Sequence, residues 1–230
     1  IFIKISGKSP YKSPTDMGVN MAGYCITDDE AVCEASKQEI IRRYYSARCM
    51  LRQGLSERAE VYRLELLMNQ LEISSKDRPV IDAAITRSNS TNGPAVAIQL
   101  HDGRIITGKT TDLLGASAAL LLNVLKELGG IHHDIHLISP IVIEPIQVLK
   151  TKHMGNHNPR LHTDEILIAL SICAATNPTA ALAMQQLPRL KGCEAHSTVI
   201  LSRVDENVFQ KLGINITCEP QYQTKKLYHR

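Results

Sequence analysis

The chain has 230 residues, 43% of them hydrophobic, with 26 basic and 23 acidic side chains for a formal net charge of +3. A chain of this length and apolarity buries a real core and is globular, not disordered. The charges are spread along the chain, which excludes a long polyanion as the main partner, and the absence of Trp with two Phe in all argues against nucleic-acid readers that stack bases.

Thr27-Asp28-Asp29-Glu30 has the capping-box pattern and predicts a helix from there to about Gln53, ended by Gly54. Ser56 is expected to cap a second helix, whose Val61, Leu64, Leu67, Met68 and Leu71 recur at helical spacing, so the two form a hairpin. A third helix is expected over Val80 to Arg87, and Ser88-Asn89-Ser90-Thr91-Asn92-Gly93-Pro94 reads as a breaker. Two strands, Ala95 to Leu100 and Arg104 to Thr107, then flank His101-Asp102-Gly103, a tight hairpin turn. A helix comes next, from about Leu114 to Leu128. Ser139-Pro140 opens another that reaches Lys150, with Pro145 expected to kink or interrupt it. Thr163 is expected to cap a helix to Ala175, and Asn177-Pro178 restarts one that stops near Pro188. The chain ends in a strand from Ser197 to Leu201, a helix from Asp205 to Leu212 and a strand from Ile214 to Cys218, so close together that they imply a parallel pair with a crossover.

The fold class is therefore α/β: a polar N-terminal segment (1–24) cut from a longer protein, a helical subdomain (25–88), a layered α/β domain (89–220) and a tail (221–230). Hairpin, helix and βαβ unit in this order resemble cytidine-deaminase-like domains. The zinc motifs of that class, His-x-Glu and Pro-Cys-x-x-Cys, are missing, since the matching stretch reads Leu113-Leu114-Gly115-Ala116-Ser117-Ala118. Six cysteines without C-x-x-C spacing fit a reduced, cytoplasmic protein, and no apolar run is long enough to span a bilayer.

Three polar stretches are not needed for a core. Asn158-Pro159-Arg160-Leu161-His162-Thr163 meets a helix N-terminus, where free amides, the helix dipole and a guanidinium are expected to converge on a phosphate or carboxylate. Glu194 and His196 fall on one side of a strand entry and suit proton transfer. Lys8-Ser9-Pro10-Tyr11-Lys12-Ser13 carries ammonium groups and hydroxyls suited to an anion. His153, His157, His162, Glu194 and His196 do not have a standard zinc spacing, and no metal is assigned. Gly103 to Thr110 matches the letters of a phosphate-binding loop but falls on a hairpin, the wrong context for one.

Lys8-Ser9-Pro10-Tyr11, Ser13-Pro14-Thr15-Asp16-Met17-Gly18, Ala35-Ser36-Lys37-Gln38-Glu39-Ile40-Ile41-Arg42-Arg43-Tyr44-Tyr45, Asn158-Pro159-Arg160-Leu161-His162 and Glu194-Ala195-His196-Ser197-Thr198 resemble the bacterial family catalogued as domain of unknown function 1846. The resemblance implies a multi-subdomain α/β protein about twice as long, of which this chain looks like the C-terminal half. It brings no established activity. Family members carry an upstream glycine-rich, phosphate-loop-like stretch that nothing here matches, and the loose peptidase labels of some members find no His-Glu-x-x-His here.

The chain thus reads as the C-terminal half of a cytosolic enzyme acting on a phosphorylated or carboxylated small molecule, its cofactor unspecified. Lys8, Lys12, Asn158, Arg160 and Thr163 would hold the anion; His162, Glu194 and His196 would move protons. The alternative is a non-catalytic module that self-associates through the hairpin from Thr27 to Leu71. The two differ in one geometric expectation: an enzyme site gathers Arg160, His162 and Glu194 around one cleft.

Overall fold

The apolar run 95–98 has no polar face to offer water, so it must be covered on both sides. In the computed structural model, which describes residues 28–223, it is. Helices α1 (Asp29–Gln53), α2 (Arg58–Gln70) and α3 (Pro79–Thr91) precede the hairpin of β1 (Ala95–Gln99) and β2 (Ile105–Lys109). Then come α4 (Ala116–Leu128), α5 (Pro140–Val148), α6 (Thr163–Ala174) and α7 (Pro178–Met184), and after them β3 (Glu194–Ser197), α8 (Arg203–Lys211) and β4 (Asn215–Cys218). The sheet order is β2-β1-β3-β4, with β1 antiparallel to both neighbours and β3 parallel to β4. The expected parallel pair with its crossover helix is present.

Alternation along the strands divides the interior into two layers. Val96, Ile98 and Ala195 face α4, α6 and α8, where Leu120, Leu121, Val124, Ile166, Leu170 and Phe209 form the main core. Ala97 faces the other way onto Val80 and Ala84 of α3, while Ile41 and Tyr45 of α1 pack with Met68, Ile73 and Ile81. Among the described residues the five cysteines are all free thiols, and no helix is long and apolar enough to cross a membrane.

Local capping differs from the sequence expectations at several ends. Asp28, not Thr27, caps α1, accepting from the Ala31 amide at 2.9 Å. Ser56 does not cap α2, which starts after Glu57, because its hydroxyl is turned to Glu60. The breaker after Arg87 is helical as far as Thr91: Ser90 and Thr91 donate back to the Arg87 carbonyl, and Asn92 ends the helix in the left-handed region (φ 49°). Pro145 does not interrupt α5. The Ile141 carbonyl, to which Pro145 offers no N–H, belongs to a residue 76% exposed, and a π-helical turn continues at Leu149–His153. Finally, β3 spans Glu194–Ser197 rather than Ser197 to Leu201. Its partner β1 begins just after Pro94, which has no N–H to offer, and the Ser197 hydroxyl turns the chain by donating to the Val199 carbonyl at 2.7 Å.

Two constraints hold the layers in register. Gly108 lies where α4 crosses β2, and a Cβ there would sit 2.3 Å from the Leu120 amide nitrogen and 2.7 Å from the Ala116 carbonyl oxygen. On the opposite face, Arg78 is 1% exposed and donates to the Ala195 and Asn215 carbonyls, each at 2.8 Å. It also donates to Glu194, which accepts from Arg42 and from the Asn215 side chain, both at 2.8 Å. One carboxylate therefore joins α1, the start of α3, β3 and β4. Because the cost of a buried guanidinium is offset only by its acceptors, Glu194→Ala is expected to lower unfolding free energy by about 3 kcal/mol. Gly108→Ala, which forces backbone apart, is expected to lower it by about 2–3 kcal/mol. Urea unfolding of each variant checks both; a midpoint equal to wild type would contradict the corresponding contact.

Candidate functional site

β2, β3 and β4 run in one direction and end on one edge of the sheet, the edge where α4 and α8 begin. A third helix start is brought there by a short ladder: Leu161 donates to the Leu113 carbonyl at 3.0 Å, and the Gly115 amide donates to the Leu161 carbonyl at 3.1 Å. The segment ahead of α6 is thereby laid along the loop ahead of α4. Between these helix starts and the strand ends lies a cavity of about 340 Å3, lined by Thr110, Ser117, Asn158, Arg160, His162, Ser197, Ser202 and Asp205 among others. A crevice beyond the carboxyl ends of strands is where open α/β sheets place their ligands.

Asp205 organises this edge. It lies in the first turn of α8, yet its carboxylate reaches the N-terminus of α6: Oδ1 accepts from the Thr163 amide and the Thr163 hydroxyl, each at 2.9 Å. Oδ2 accepts from His162 Nδ1 at 3.0 Å and from the Ser202 hydroxyl at 2.9 Å. An internal carboxylate thus fills the helix end where the sequence suggested an external anion, and the Thr163 donors are spent on it. Burial alone would push the Asp205 carboxyl up. The hydrogen bond and charge of His162, the Thr163 amide and the Ser202 hydroxyl outweigh it and hold the group below the usual carboxylate range. Asp205 in turn raises the His162 pKa by accepting a hydrogen bond from it and by its negative charge, against the opposing effect of burial.

An ionised carboxylate on Nδ1 fixes the imidazole tautomer with the proton there. His162 Nε2 makes no hydrogen bond among the described residues. Ser202 and His162 are not arranged as a nucleophile and base, because the hydroxyl lies 3.5 Å from Nδ1, the nitrogen already committed to Asp205. The geometry is that of an oriented acid–base histidine.

Arg160 and its neighbours are fixed from behind. The Arg160 amide donates to Asn158 Oδ1 at 3.1 Å, and its Nε donates to the Thr111 carbonyl at 2.6 Å. Lys150, 4% exposed, donates to the Arg160 carbonyl and to Glu165, both at 2.7 Å, and Glu165 also accepts from the His162 amide at 2.8 Å. His162 also borders a neighbouring recess of about 500 Å3 lined by Lys150, His157 and Asp164.

The structure brings together Asn158, Arg160 and His162 and separates them from Glu194 and His196. Those two project from β3 toward α1 and α3. Glu194 is the counter-ion of Arg78, and His196 is fully buried, with Nδ1 2.8 Å from the Thr217 hydroxyl and its ring edge-on to Tyr45. Burial lowers the His196 pKa. Lys8 and Lys12 lie outside the described residues. Gly103 to Thr110 is a turn and strand β2, not a loop opening a helix. The histidines weighed as a metal set are not gathered; among the described residues His132, His133 and Asp134, all exposed, have donor atoms within 4.8 Å of one another. Sequence reasoning missed Asp205, Ser202 and Ser117. Ser202-x-x-Asp205 is a legible cap signal, but nothing local shows that the carboxylate serves another helix.

The chain matches the family model described as Domain of unknown function DUF1846, N-terminal, over residues 1–72, and the one described as Domain of unknown function DUF1846, C-terminal, over residues 76–228. It is 53% identical over 227 residues to UPF0371 protein cu0538 of Corynebacterium urealyticum, a match that covers 99% of this chain and 46% of that protein. UPF0371 protein str1377 of Streptococcus thermophilus is 54% identical over 227 residues with the same shares. The chain thus spans a little under half the length of the curated relatives it matches. On the agreement of both family models across nearly its whole length, the chain belongs to the DUF1846 family.

Proposed function

We propose that the protein containing this chain is an enzyme whose cleft, at the carboxyl edge of the sheet, binds a phosphorylated or carboxylated small molecule, with His162 as the general acid and base. The observation that carries this reading is the Asp205–His162 pair at the cavity wall: one imidazole nitrogen is held and the other is left unbonded among the described residues. Arg160 and Asn158 line the same cavity and supply the cationic and polar surface for the anion. Glu194 and His196 take no part; they hold the layers together. Asp205 is a positioning residue that sets the tautomer of His162 and stabilises its protonated form.

Positioned proton transfer accounts for about 10²–10⁴ of rate. In the full-length protein, turnover found by screening phosphorylated and carboxylated metabolites is expected to fall by about that factor in His162→Asn while ligand affinity holds. Undiminished turnover in that variant, or neither binding nor turnover across the panel, would contradict the reading.

The pair also predicts a pH dependence of stability. His162 has a raised pKa, so its contribution is complete below the ordinary imidazole value of 6.5 and is lost as pH rises through the folded-state value. Asp205 has a lowered pKa, so its contribution is present above 3.8 and is lost as pH falls through its folded-state value. Asp205→Asn is therefore expected to destabilise most between these two ordinary values, and to lower the His162 pKa read by proton NMR. An unshifted His162 titration would contradict the pairing.

A further inference from the structure

The two family models meet just after α2: the N-terminal one ends at residue 72 and the C-terminal one begins at residue 76. By family, then, α1 and α2 belong to one domain and the sheet to the other. In the fold the hairpin nevertheless rests on the C-terminal domain, where Ile41 and Tyr45 pack with Ile73 and Ile81 and the Tyr45 ring meets His196 edge-on. Two helices do not enclose a core of their own, since each buries only the stripe it turns to a neighbour.

The hairpin carries a second apolar stripe that has no such neighbour. α2 buries Val61 and Met68; beside them Leu64, Leu67 and Leu71 form a row at helical spacing, with Leu67 37% and Leu71 51% exposed. α1 sets Val32, Ala35 and Ile40 against Leu64 and Leu67, and the two helices enclose a groove of about 440 Å3. The charged side chains that line it, Glu39 and Arg43, pair with each other at 2.8 Å. Among the described residues nothing covers this groove. A single exposed leucine is ordinary, whereas a continuous apolar groove between two helices marks a surface made to be covered.

The occupant follows from where the groove lies and from the length of the relatives. Val32 is one turn past Asp28, so the chain ahead of α1 arrives at the end of the groove. The match covers 46% of the relatives, so more than half of their length lies outside it. We propose that the groove between α1 and α2 seats the further part of the N-terminal family domain that the longer relatives carry, which docks apolar side chains there and so joins the two domains through the hairpin. A second copy of this chain would bury the same stripe, but it would leave the hairpin without contact to the rest of its own family domain.

Photo-cross-linking in the full-length protein tests it, with p-benzoylphenylalanine in place of Leu67 and the products read by denaturing gel and peptide mass spectrometry. The expected product has the mass of one chain and joins position 67 to a peptide outside this stretch of 230 residues. A product of twice that mass gives the groove to a second copy, and a product joined only to peptides of the 230 residues, or none, leaves the groove uncovered; each overturns the inference. Leu67→Glu, which puts a charge under the docked part, is expected to lower the melting temperature of the full-length protein by about 4 °C. An unchanged melting temperature also overturns it. Should Leu67→Glu fail to fold, the cross-link decides the matter alone.

Discussion

One carboxylate, that of Asp205, makes the carboxyl edge of the sheet a single piece. It accepts from the α6 N-terminus, from His162 and from Ser202, so the start of α8, the start of α6 and the imidazole between them cannot move independently. The desolvation cost of burying the charge is offset because every acceptor site is used, two donors to each oxygen. The chemical consequence is the histidine tautomer. With the Nδ1–H donated in a hydrogen bond to Asp205, His162 presents its other nitrogen as the titrating one, and the neighbouring negative charge favours the protonated form.

The opposite face of the sheet is built on a second buried charge with the reverse role. Arg78 is surrounded by carbonyls and by Glu194, and the contacts it makes join helices to strands rather than opening onto a cavity. The same sheet therefore has a buried arginine–carboxylate contact on the α1 and α3 side and a buried carboxylate with all its acceptor sites filled at its carboxyl edge. At that edge His162 lines the cavity, and its Nε2 makes no hydrogen bond among the described residues. Gly108 ties that edge to the sheet itself, since the position of the uncapped α4 turn depends on a strand residue without a side chain.

Much of the architecture could be read from the chain. The apolar run 95–98, the Asp102-Gly103 turn and the strand, helix and strand at the end pointed correctly to the hairpin and the parallel pair. The signals used were local periodicity and turn chemistry, and both survive folding. Errors fell where a side chain chose a partner that sequence spacing does not reveal: Ser56 turned to Glu60, and Ser197 bent the chain out of β3 before the apolar Val199-Ile200-Leu201. The lining of the candidate site was legible in part for the same reason. Asn158, Arg160 and His162 are nearly contiguous in sequence and stay together at the cavity. Glu194 and His196 looked catalytic because of their types, and strand alternation turns both of them to the far face of the sheet. Asp205 was invisible because its contacts are made across the fold, to the start of another helix.

The most direct test of the central claim is the protonation pattern of the His162 ring, read by nitrogen-15 NMR of the imidazole above its pKa. The Asp205 contact predicts the neutral tautomer with the proton on Nδ1 and a lone pair on Nε2. A ring carrying its proton on Nε2 would mean that Asp205 does not hold it, and that His162 is not the oriented acid–base group on which the proposed chemistry of the cleft depends.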